Sequence, residues 1–502
     1  MTGLKPKKLH LSFILLYLFI FFFSFFQYAN DKPRGIHQWA QSDRLAIAER
    51  FVEGRNVTDP ATLLIKTEDG KVGVEFSGYQ YVIAQLIRAG INKTYLPFLY
   101  RITTYSLFFC SLFILVFSVL KSENILFKSA IFLGLFSSPV LLYYSYNFLP
   151  DILGLTLILI CLYFLFRDFE KYFYLILLIS GFSFFIKTSS GIYFIAFYAI
   201  YFLKYWNKWN IKLILGGLIF IAIAVSVGWY DYFLVNQRNQ ELNSYVFLSS
   251  SRPTESYAAF IEIFNTAKRF LGEYFNNSQW VLLAILLVLN IFNISKLKIR
   301  SKSLQLTILI VIGLFALILL FGVQFKDHDY YVISTFMPII LFLAIKSIAK
   351  FAEYVPPKTS LTLAILFAIF SFSQGSNRHF NRMSENVNIN GSIEHYERNW
   401  LIDADNKIEN IVPKSDLVYV VYVPEPNLSL IYLERKGATF NTEEMSREKS
   451  PFNWFLDLQK TKWVVCQDKK LKQLKEDQAI FLNNSTIVYS DKNFTLFKVN
   501  GY

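Results

Sequence analysis

Long runs of apolar residues, separated by short polar connectors, restrict this chain to a membrane protein more firmly than any other feature. The first run, Leu11 to Asn30, carries no formal charge, and about 20 such residues form a helix that crosses the roughly 30 Å hydrocarbon layer. Hydrophobic residues make up 54% of the chain and aromatic residues 18%, which is above the share typical of a soluble domain. Ten further runs lie at about 97–120, 125–146, 150–166, 172–186, 190–203, 213–234, 279–294, 303–323, 331–345 and 359–374. We therefore expect a polytopic α-helical membrane protein with about 11 spans.

The connectors between the runs differ in charge, and this difference predicts the orientation of the chain. Short loops rich in Lys and Arg stay on the cytoplasmic side. Alternate connectors carry a net charge of +13, which equals the net charge of the whole chain; they are 1–10, 121–128, 167–171, 204–212, 295–302 and 346–358. We expect a cytoplasmic N-terminus and a first run that is retained rather than cleaved as a signal peptide. The basic charge then reflects topology in a lipid bilayer, and we expect no nucleic-acid partner.

The predicted outer segments divide the chain into a membrane module, 1–374, and an outer domain, 375–502. The first outer loop, 29–95, is long enough to carry interfacial helices. In the tail, DLVYVVYV is typical of a strand, and PEPNLSLIYLERKG of a turn and a helix that ends at Gly437. KTKWVVCQD and NFTLFKVN favour two more strands, so we expect a small α/β domain. The tail has a single cysteine, Cys466, which gives no disulfide framework.

Two acidic residues stand where predicted outer segments meet the membrane. Asp43 lies in GIHQWAQSDRLAIAERFVE, and helical spacing places it on one face with Trp39, Ile47 and Arg50. We expect this amphipathic helix to lie flat on the membrane interface; the alternative is a first-turn carboxylate that complements the helix dipole. Asp151 follows a proline at the start of a span, where a helix-start role is the alternative to a functional one.

Lys187 interrupts the apolar sequence GFSFFIKTSSGIYF at the outer end of a span, against the charge bias of the chain. Since an ionisable group at membrane depth is costly without a partner, we expect an anionic ligand, and a lipid phosphate suits that depth. Snorkelling of the side chain towards water is the alternative. The turn KDHDYY adds Lys326 and His328 on the same side, beside tyrosines suited to the interface. A solvated loop with an aromatic anchor is the alternative for this turn.

Short motifs on the predicted outer side together resemble those of one enzyme group. They are Asp43 in its amphipathic segment, EFSGYQYVIAQL from Glu75, FLPDILGL around Asp151, KDHDYY, and LIYLERKGATF in the tail. Asp43 is similar to a first-loop acid, the Glu75 segment to a second interfacial helix, and FLPDILGL to an acid-bearing turn before the fourth span. The group is that of the GT-C fold glycosyltransferases that use polyprenyl-phosphate sugars. It is glycosyltransferase family 39-like and includes the protein O-mannosyltransferases and the lipid A aminoarabinose transferase.

The resemblance implies a single inverting displacement that moves a sugar from a polyprenyl-phosphate donor to a hydroxyl acceptor. The acceptor would be a glycolipid, polysaccharide or protein on the outer face of the cytoplasmic membrane. Asp43 would act as general base, with Glu75 as the reserve candidate, and Asp151 would orient the acceptor or a divalent ion. The donor phosphate would be bound by Lys187, His328 and Lys326. No cofactor follows from the sequence apart from a possible divalent metal ion, with Asp43 and Asp151 as its possible ligands.

Other functions are compatible with many spans. A lipid-linked sugar flippase or transporter would place polar residues near mid-membrane in symmetry-related broken helices, whereas these candidates sit at the outer edge and no repeat is visible. A polysaccharide polymerase or ligase would share the lipid carrier but use a diphosphate-linked donor. A non-catalytic scaffold gives no reason for Lys187.

Overall fold

The computed structural model describes ten stretches of the chain: 6–66, 68–122, 124–207, 211–242, 253–292, 301–389, 392–396, 398–446, 451–459 and 461–500. The predicted connectors 1–10, 121–128, 204–212 and 295–302, the run 279–294, the loops 29–95 and 235–278, and the tail 375–502 lie partly outside these residues. The α-helices of the first 400 residues are α1 Pro6–Ile20, α2 Gln38–Val52, α3 Gly78–Arg88, α4 Leu96–Val119, α5 Ile125–Phe136, α6 Pro139–Ser145, α7 Asp151–Ile186, α8 Gly191–Tyr205, α9 Ile211–Trp229, α10 Arg238–Glu241, α11 Tyr257–Ala267, α12 Leu271–Tyr274, α13 Asn277–Phe292, α14 Lys302–Asp327, α15 Tyr331–Thr335, α16 Met337–Phe351 and α17 Pro357–Arg382.

The remaining elements belong to the tail. Its helices are α18 Asn399–Ile408, α19 Leu428–Leu433, α20 Thr442–Ser446, α21 Pro451–Gln459, α22 Leu471–Asp477 and α23 Ala479–Asn483. Its strands are β1 Asn386–Ile389, β2 Ser392–His395, β3 Val418–Val421, β4 Gly437–Phe440, β5 Trp463–Gln467, β6 Ser485–Ser490 and β7 Phe494–Val499.

The chain is a multi-pass α-helical membrane protein, and each predicted apolar run falls on helical structure. Among the described residues, 6 helices are long and apolar enough to cross a membrane, or up to 8 if each of two bent helix pairs forms one span. The number of candidate spans is lower than the 11 predicted runs because some helices are bent and others are short. Run 125–146 bends by 85° between α5 and α6, and α8 and α16 are only 15 residues long.

Helix α7 consists of two antiparallel halves. The backbone at Asp168 is extended (φ −166°, ψ 98°) and interrupts the helix. Ser183 Oγ donates to the carbonyl of Gly154 at 3.1 Å, although a straight helix would place residues so far apart in sequence roughly 40 Å from each other. The two halves match the predicted runs 150–166 and 172–186. The hairpin therefore brings its two ends, Asp151 and Lys187, to the same level.

Helix α2, which carries Asp43, is enclosed by the protein. Every residue from Gln41 to Phe51 is buried, and of the predicted face only Trp39 is exposed. One side of α2 packs on α3, while another side joins the core of the tail domain through Leu45, Ala46 and Ala48. The predicted helix is present and the tail domain covers it, while its position at the membrane interface stays a prediction.

The tail forms the predicted small α/β domain. Its sheet has the strand order β4-β3-β5-β7-β6, with β3 parallel to β4 and β5, and β7 antiparallel to β5 and β6. The prediction that the helix ends at Gly437 is wrong. Helix α19 ends at Leu433, Glu434 takes the left-handed conformation (φ 51°), and Gly437 opens β4.

The loop 29–95 extends the edge of this sheet. Ile65 N–H donates to the carbonyl of Gly437 at 2.8 Å, and Gly437 N–H donates to the carbonyl of Leu63 at 3.1 Å. Gly437 is required here, since a Cβ at this position would lie 1.7 Å from the carbonyl oxygen of Val418. The loop and the tail domain are thus joined, and the predicted boundary at residue 374 falls inside α17.

Candidate functional site

Lys187 lies buried at the end of the α7 hairpin, between two carboxylates. Its Nζ lies 3.2 Å from Glu75 Oε1 and 3.3 Å from Asp151 Oδ1. Behind the helix end, a turn of serines fixes the backbone: Ser190 Oγ donates to the Lys187 carbonyl at 2.9 Å and lies 2.8 Å from Ser183 Oγ. The KTSSG sequence therefore ends one helix, holds the lysine and begins α8 at Gly191.

Glu75 joins two cations. Besides Lys187, its carboxylate accepts a hydrogen bond from Arg44 of α2. Burial alone would raise the pKa of Glu75, but the two neighbouring cations outweigh burial and hold the pKa at about 2. Glu75 is consequently ionised at neutral pH, which suits a fixed structural anion better than a proton acceptor.

Asp151 is held differently from Glu75. It is fully buried, and its only ion pair among the described residues is with Lys187. Neither of its carboxylate oxygens accepts a hydrogen bond in acceptable geometry from the described part of the chain. A buried carboxylate with such incomplete partners is costly for folding and is typical of a functional position.

Asp43 lies next to Arg44 on α2 and faces the tail domain. Its Oδ1 accepts a hydrogen bond from Asn427 Nδ2 at 2.8 Å. Burial raises the pKa of Asp43 to about 7, against the opposing effects of the Asn427 hydrogen bond and of Arg44. A carboxylate with this pKa can accept and release a proton near neutral pH, as a general base must.

His328 and Lys326 occupy different positions relative to Lys187. The His328 ring stacks on Tyr330 and Tyr331, with centroids 5.2 and 6.0 Å apart. Lys187 Nζ lies over the same Tyr331 ring at 4.7 Å from its centroid. Lys326 forms an ion pair with Glu262 at 2.5 Å on an exposed surface. The structure brings His328 into the neighbourhood of Lys187 through the tyrosines and places Lys326 in a separate ion pair.

A second buried charge cluster supports the turn that carries His328. Asp329 bonds to Arg382 of α17 and accepts from the Tyr144 hydroxyl at 2.7 Å. Glu273 lies 3.0 Å from Arg382, and His37 Nε2 lies 3.3 Å from Asp329. Burial alone would raise the pKa of Asp329, but Arg382 and the contact with His37 outweigh burial and hold this pKa well below its ordinary range. This cluster joins five segments of the chain, which carry His37, Tyr144, Glu273, Asp329 and Arg382.

The residues present do not form a recognisable metal site. No group of three or more His, Cys, Asp or Glu side chains in the described residues could hold a metal ion. Asp151, one of the two predicted ligands, is paired with a lysine, and Asp43 is bonded to an amide. Within the described residues, these two partnered carboxylates do not fit a divalent ion.

Sequence reasoning missed Arg44 and Asn427. Arg44 follows Asp43 directly, and an arginine buried on a helix requires an acidic partner, but the sequence did not predict that this helix is covered. Asn427 had no comparable signal, since its contact with Asp43 joins residues 384 positions apart.

Comparisons with known proteins establish the fold. No family model matches the sequence, and no curated protein matches it. Solved structures do: ArnT from Cupriavidus metallidurans bound to undecaprenyl phosphate has a TM-score of 0.62 and 10% identity over 98% of both chains. The apo oligosaccharyltransferase of Archaeoglobus fulgidus has a TM-score of 0.58 and 8% identity over 95% of this chain and 71% of that one. Arabinofuranosyltransferase AftD from Mycobacteria has a TM-score of 0.52 and 11% identity over 100% of this chain and 40% of that one. All three are GT-C fold proteins, and this chain has the GT-C fold.

Proposed function

We propose that this protein is a membrane glycosyltransferase that moves a sugar from a polyprenyl-phosphate donor to a hydroxyl acceptor, with inversion, at the outer face of the cytoplasmic membrane. The observation that carries the proposal is Lys187, buried between two carboxylates at the end of a membrane hairpin in a GT-C fold. The complex of ArnT with undecaprenyl phosphate supports the donor class. The charge distribution of the connectors supports the outer face.

On the acceptor side, Asp43 takes the proton of the hydroxyl as it attacks the anomeric carbon. A hydroxyl is a weak nucleophile at neutral pH, and a positioned base typically contributes about 10²–10⁴-fold. Its pKa of about 7 leaves a substantial fraction of Asp43 unprotonated under ordinary conditions. Glu75 is a weaker candidate for this role, because two ion pairs hold it in the ionised form.

On the donor side, Lys187 stabilises the departing phosphate. An ammonium group has three N–H donors, so Lys187 has one donor beyond its two carboxylate partners with which to bind a phosphate oxygen. The phosphate gains negative charge as the glycosidic bond breaks, so a fixed cation in a partly dry site lowers the barrier. Asp151, with its incomplete hydrogen bonds, orients the acceptor near Lys187. His328, beside the same tyrosines, assists on the donor side, and Lys326 is a more distant candidate.

Binding of undecaprenyl phosphate tests the donor assignment directly. We expect purified Lys187→Ala to bind this lipid at least about tenfold more weakly than the wild type, and to lose on the order of 10²-fold in transfer. Lys187→Arg should retain part of the lipid binding and part of the transfer activity, since it keeps the positive charge. Lys204→Ala is the matched control, because Lys204 also pairs with a carboxylate, Glu170, but lies at the other end of α8. Equal affinity in the wild type and Lys187→Ala would exclude Lys187 as the phosphate ligand.

The sugar and the acceptor can be identified in cells. Mass spectrometry of cell-envelope glycans from a deletion strain should reveal one missing sugar, restored by the wild-type gene and not by Asp43→Asn. An unchanged set of glycans would contradict the proposed transfer.

A further inference from the structure

Asn427 stands at the N-cap position of α19, but its side chain does not cap the helix. It is the residue before the first turn of α19, where an asparagine side chain normally accepts a hydrogen bond from a helix N–H. Asn124 does this at the start of α5, with bonds to Leu126 N and Phe127 N. The side chain of Asn427 forms no such cap, so its amide serves another purpose.

The amide of Asn427 connects the first outer loop with Asp43. Its Oδ1 accepts from the Leu64 N–H at 3.1 Å, and its Nδ2 donates to Asp43 Oδ1 at 2.8 Å. The backbone N–H of Leu64 can only donate, which fixes the orientation of the amide and directs its NH₂ group towards Asp43. Asn427 itself is completely buried.

We infer that Asn427 is a positioning residue for Asp43, through which the tail domain completes the acceptor side of the site. The inference rests on the proposed function. The amide holds one carboxylate oxygen of Asp43 and favours the ionised form, which leaves the other oxygen to accept the proton of the hydroxyl acceptor.

Among the described residues, few charged groups besides the Asn427 amide influence the ionisation of Asp43. Arg44, on the same helix, favours the ionised form and is itself bonded to Glu75, from the segment before α3. Tyr79 of α3 bonds to the carbonyl of Tyr100. From α19, Tyr432 donates to the carbonyl of Pro33. Replacing Asn427 should therefore change the ionisation of Asp43 without removing another charge.

Infrared spectroscopy of the full-length protein in lipid tests this directly. The C=O stretch of protonated Asp43 is identified by its absence from Asp43→Asn, and its titration midpoint should lie near pH 7 in the wild type. In Asn427→Leu, which has a similar size but no donor, we expect the midpoint to rise by about one pH unit or more. Asn453→Leu is the control, since Asn453 bonds to Gln478 within the same domain and should leave the midpoint unchanged.

The test has two further arms. If Asn427→Leu does not fold, Asn427→Asp keeps the size and adds a like charge, which should also raise the midpoint. In a complemented deletion strain, Asn427→Leu should lower glycan transfer, with partial recovery in alkaline medium, whereas a purely structural defect would not respond to pH.

Wild-type titration of Asp43 in the folded Asn427 variants would overturn the inference. A different result would separate the two proposals. If the titration of Asp43 shifts in the Asn427 variants but Asp43→Asn makes normal glycans, the proposed function is contradicted, while the effect of Asn427 on Asp43 still holds.

Discussion

Asp43 combines complete enclosure with a pKa of about 7, and this predicts opposite effects of pH on activity and stability. A base must be unprotonated, so kcat/KM should fall about tenfold per pH unit below pH 7. Burial favours the protonated form of the folded protein over the unfolded chain, whose Asp titrates near 4. The free energy of unfolding should therefore decrease as pH rises from about 4 to 7.

Asp43→Asn separates the two effects. The variant should lose turnover at every pH, while its unfolding temperature at pH 8 should equal or exceed that of the wild type. Parallel pH series of transfer rate and thermal unfolding provide the measurement. A large stability loss at pH 8 would show that Asp43 supports the fold as an anion, contrary to this expectation.

Asp151 and Asp329 form a matched pair of buried carboxylates with different surroundings. Asp329 bonds to Arg382 and Tyr144, so Asp329→Asn should cost about 3–5 kcal/mol of unfolding free energy. Asp151 has one ion pair and unmet hydrogen bonds, so Asp151→Asn should cost much less but reduce transfer by about tenfold or more. Both variants are compared with the wild type by thermal unfolding in detergent and, separately, by transfer assays. If the two variants lose similar stability and Asp151→Asn transfers sugar normally, Asp151 only starts the helix and has no role in transfer.

At the scale of elements, the contact between the first loop and β4 can be disrupted by a single methyl group. Gly437→Ala would place a Cβ against the Val418 carbonyl, so the edge of the sheet must shift. We expect faster proteolytic cleavage of the first loop and reduced transfer. Gly228→Ala is the control, because nothing lies within 4 Å of its Cβ position. Equal cleavage rates in the two variants would mean that the loop is held by other contacts.

Elements governed by local sequence were predictable, and elements governed by distant contacts were not. The apolar runs predicted the helices, and the charged connector 167–171 marked the turn of the α7 hairpin. The strands β3, β5 and β7 followed from their β-branched and aromatic residues. The end of α19 was misassigned because Gly437 looked like a helix cap, whereas the close approach of the Val418 carbonyl is what requires a glycine. The enclosure of α2 depends on a domain encoded more than 300 residues later, which α2 itself does not reveal.

At the scale of the whole molecule, the orientation of the chain is a testable prediction. A reporter fused after residue 502 should be active only outside the cytoplasm, and one inserted at 346–358 only inside, because short connectors rich in Lys and Arg stay cytoplasmic. Cys466 is buried, so an impermeant thiol reagent should reach it from outside only after local unfolding. The reverse pattern of reporter activity would invalidate the assignment of the site to the outer face.

The hydrogen bond between Asp43 and Asn427 also has a consequence for biosynthesis. The two residues are 384 positions apart, and at about 5–20 residues per second a ribosome takes about 20–80 seconds to translate that interval. During this time the nascent first loop has left the membrane without the sheet edge that it later extends. The contact can therefore form only after the tail has been translated, and under the proposed function we expect half-made chains to be inactive in sugar transfer.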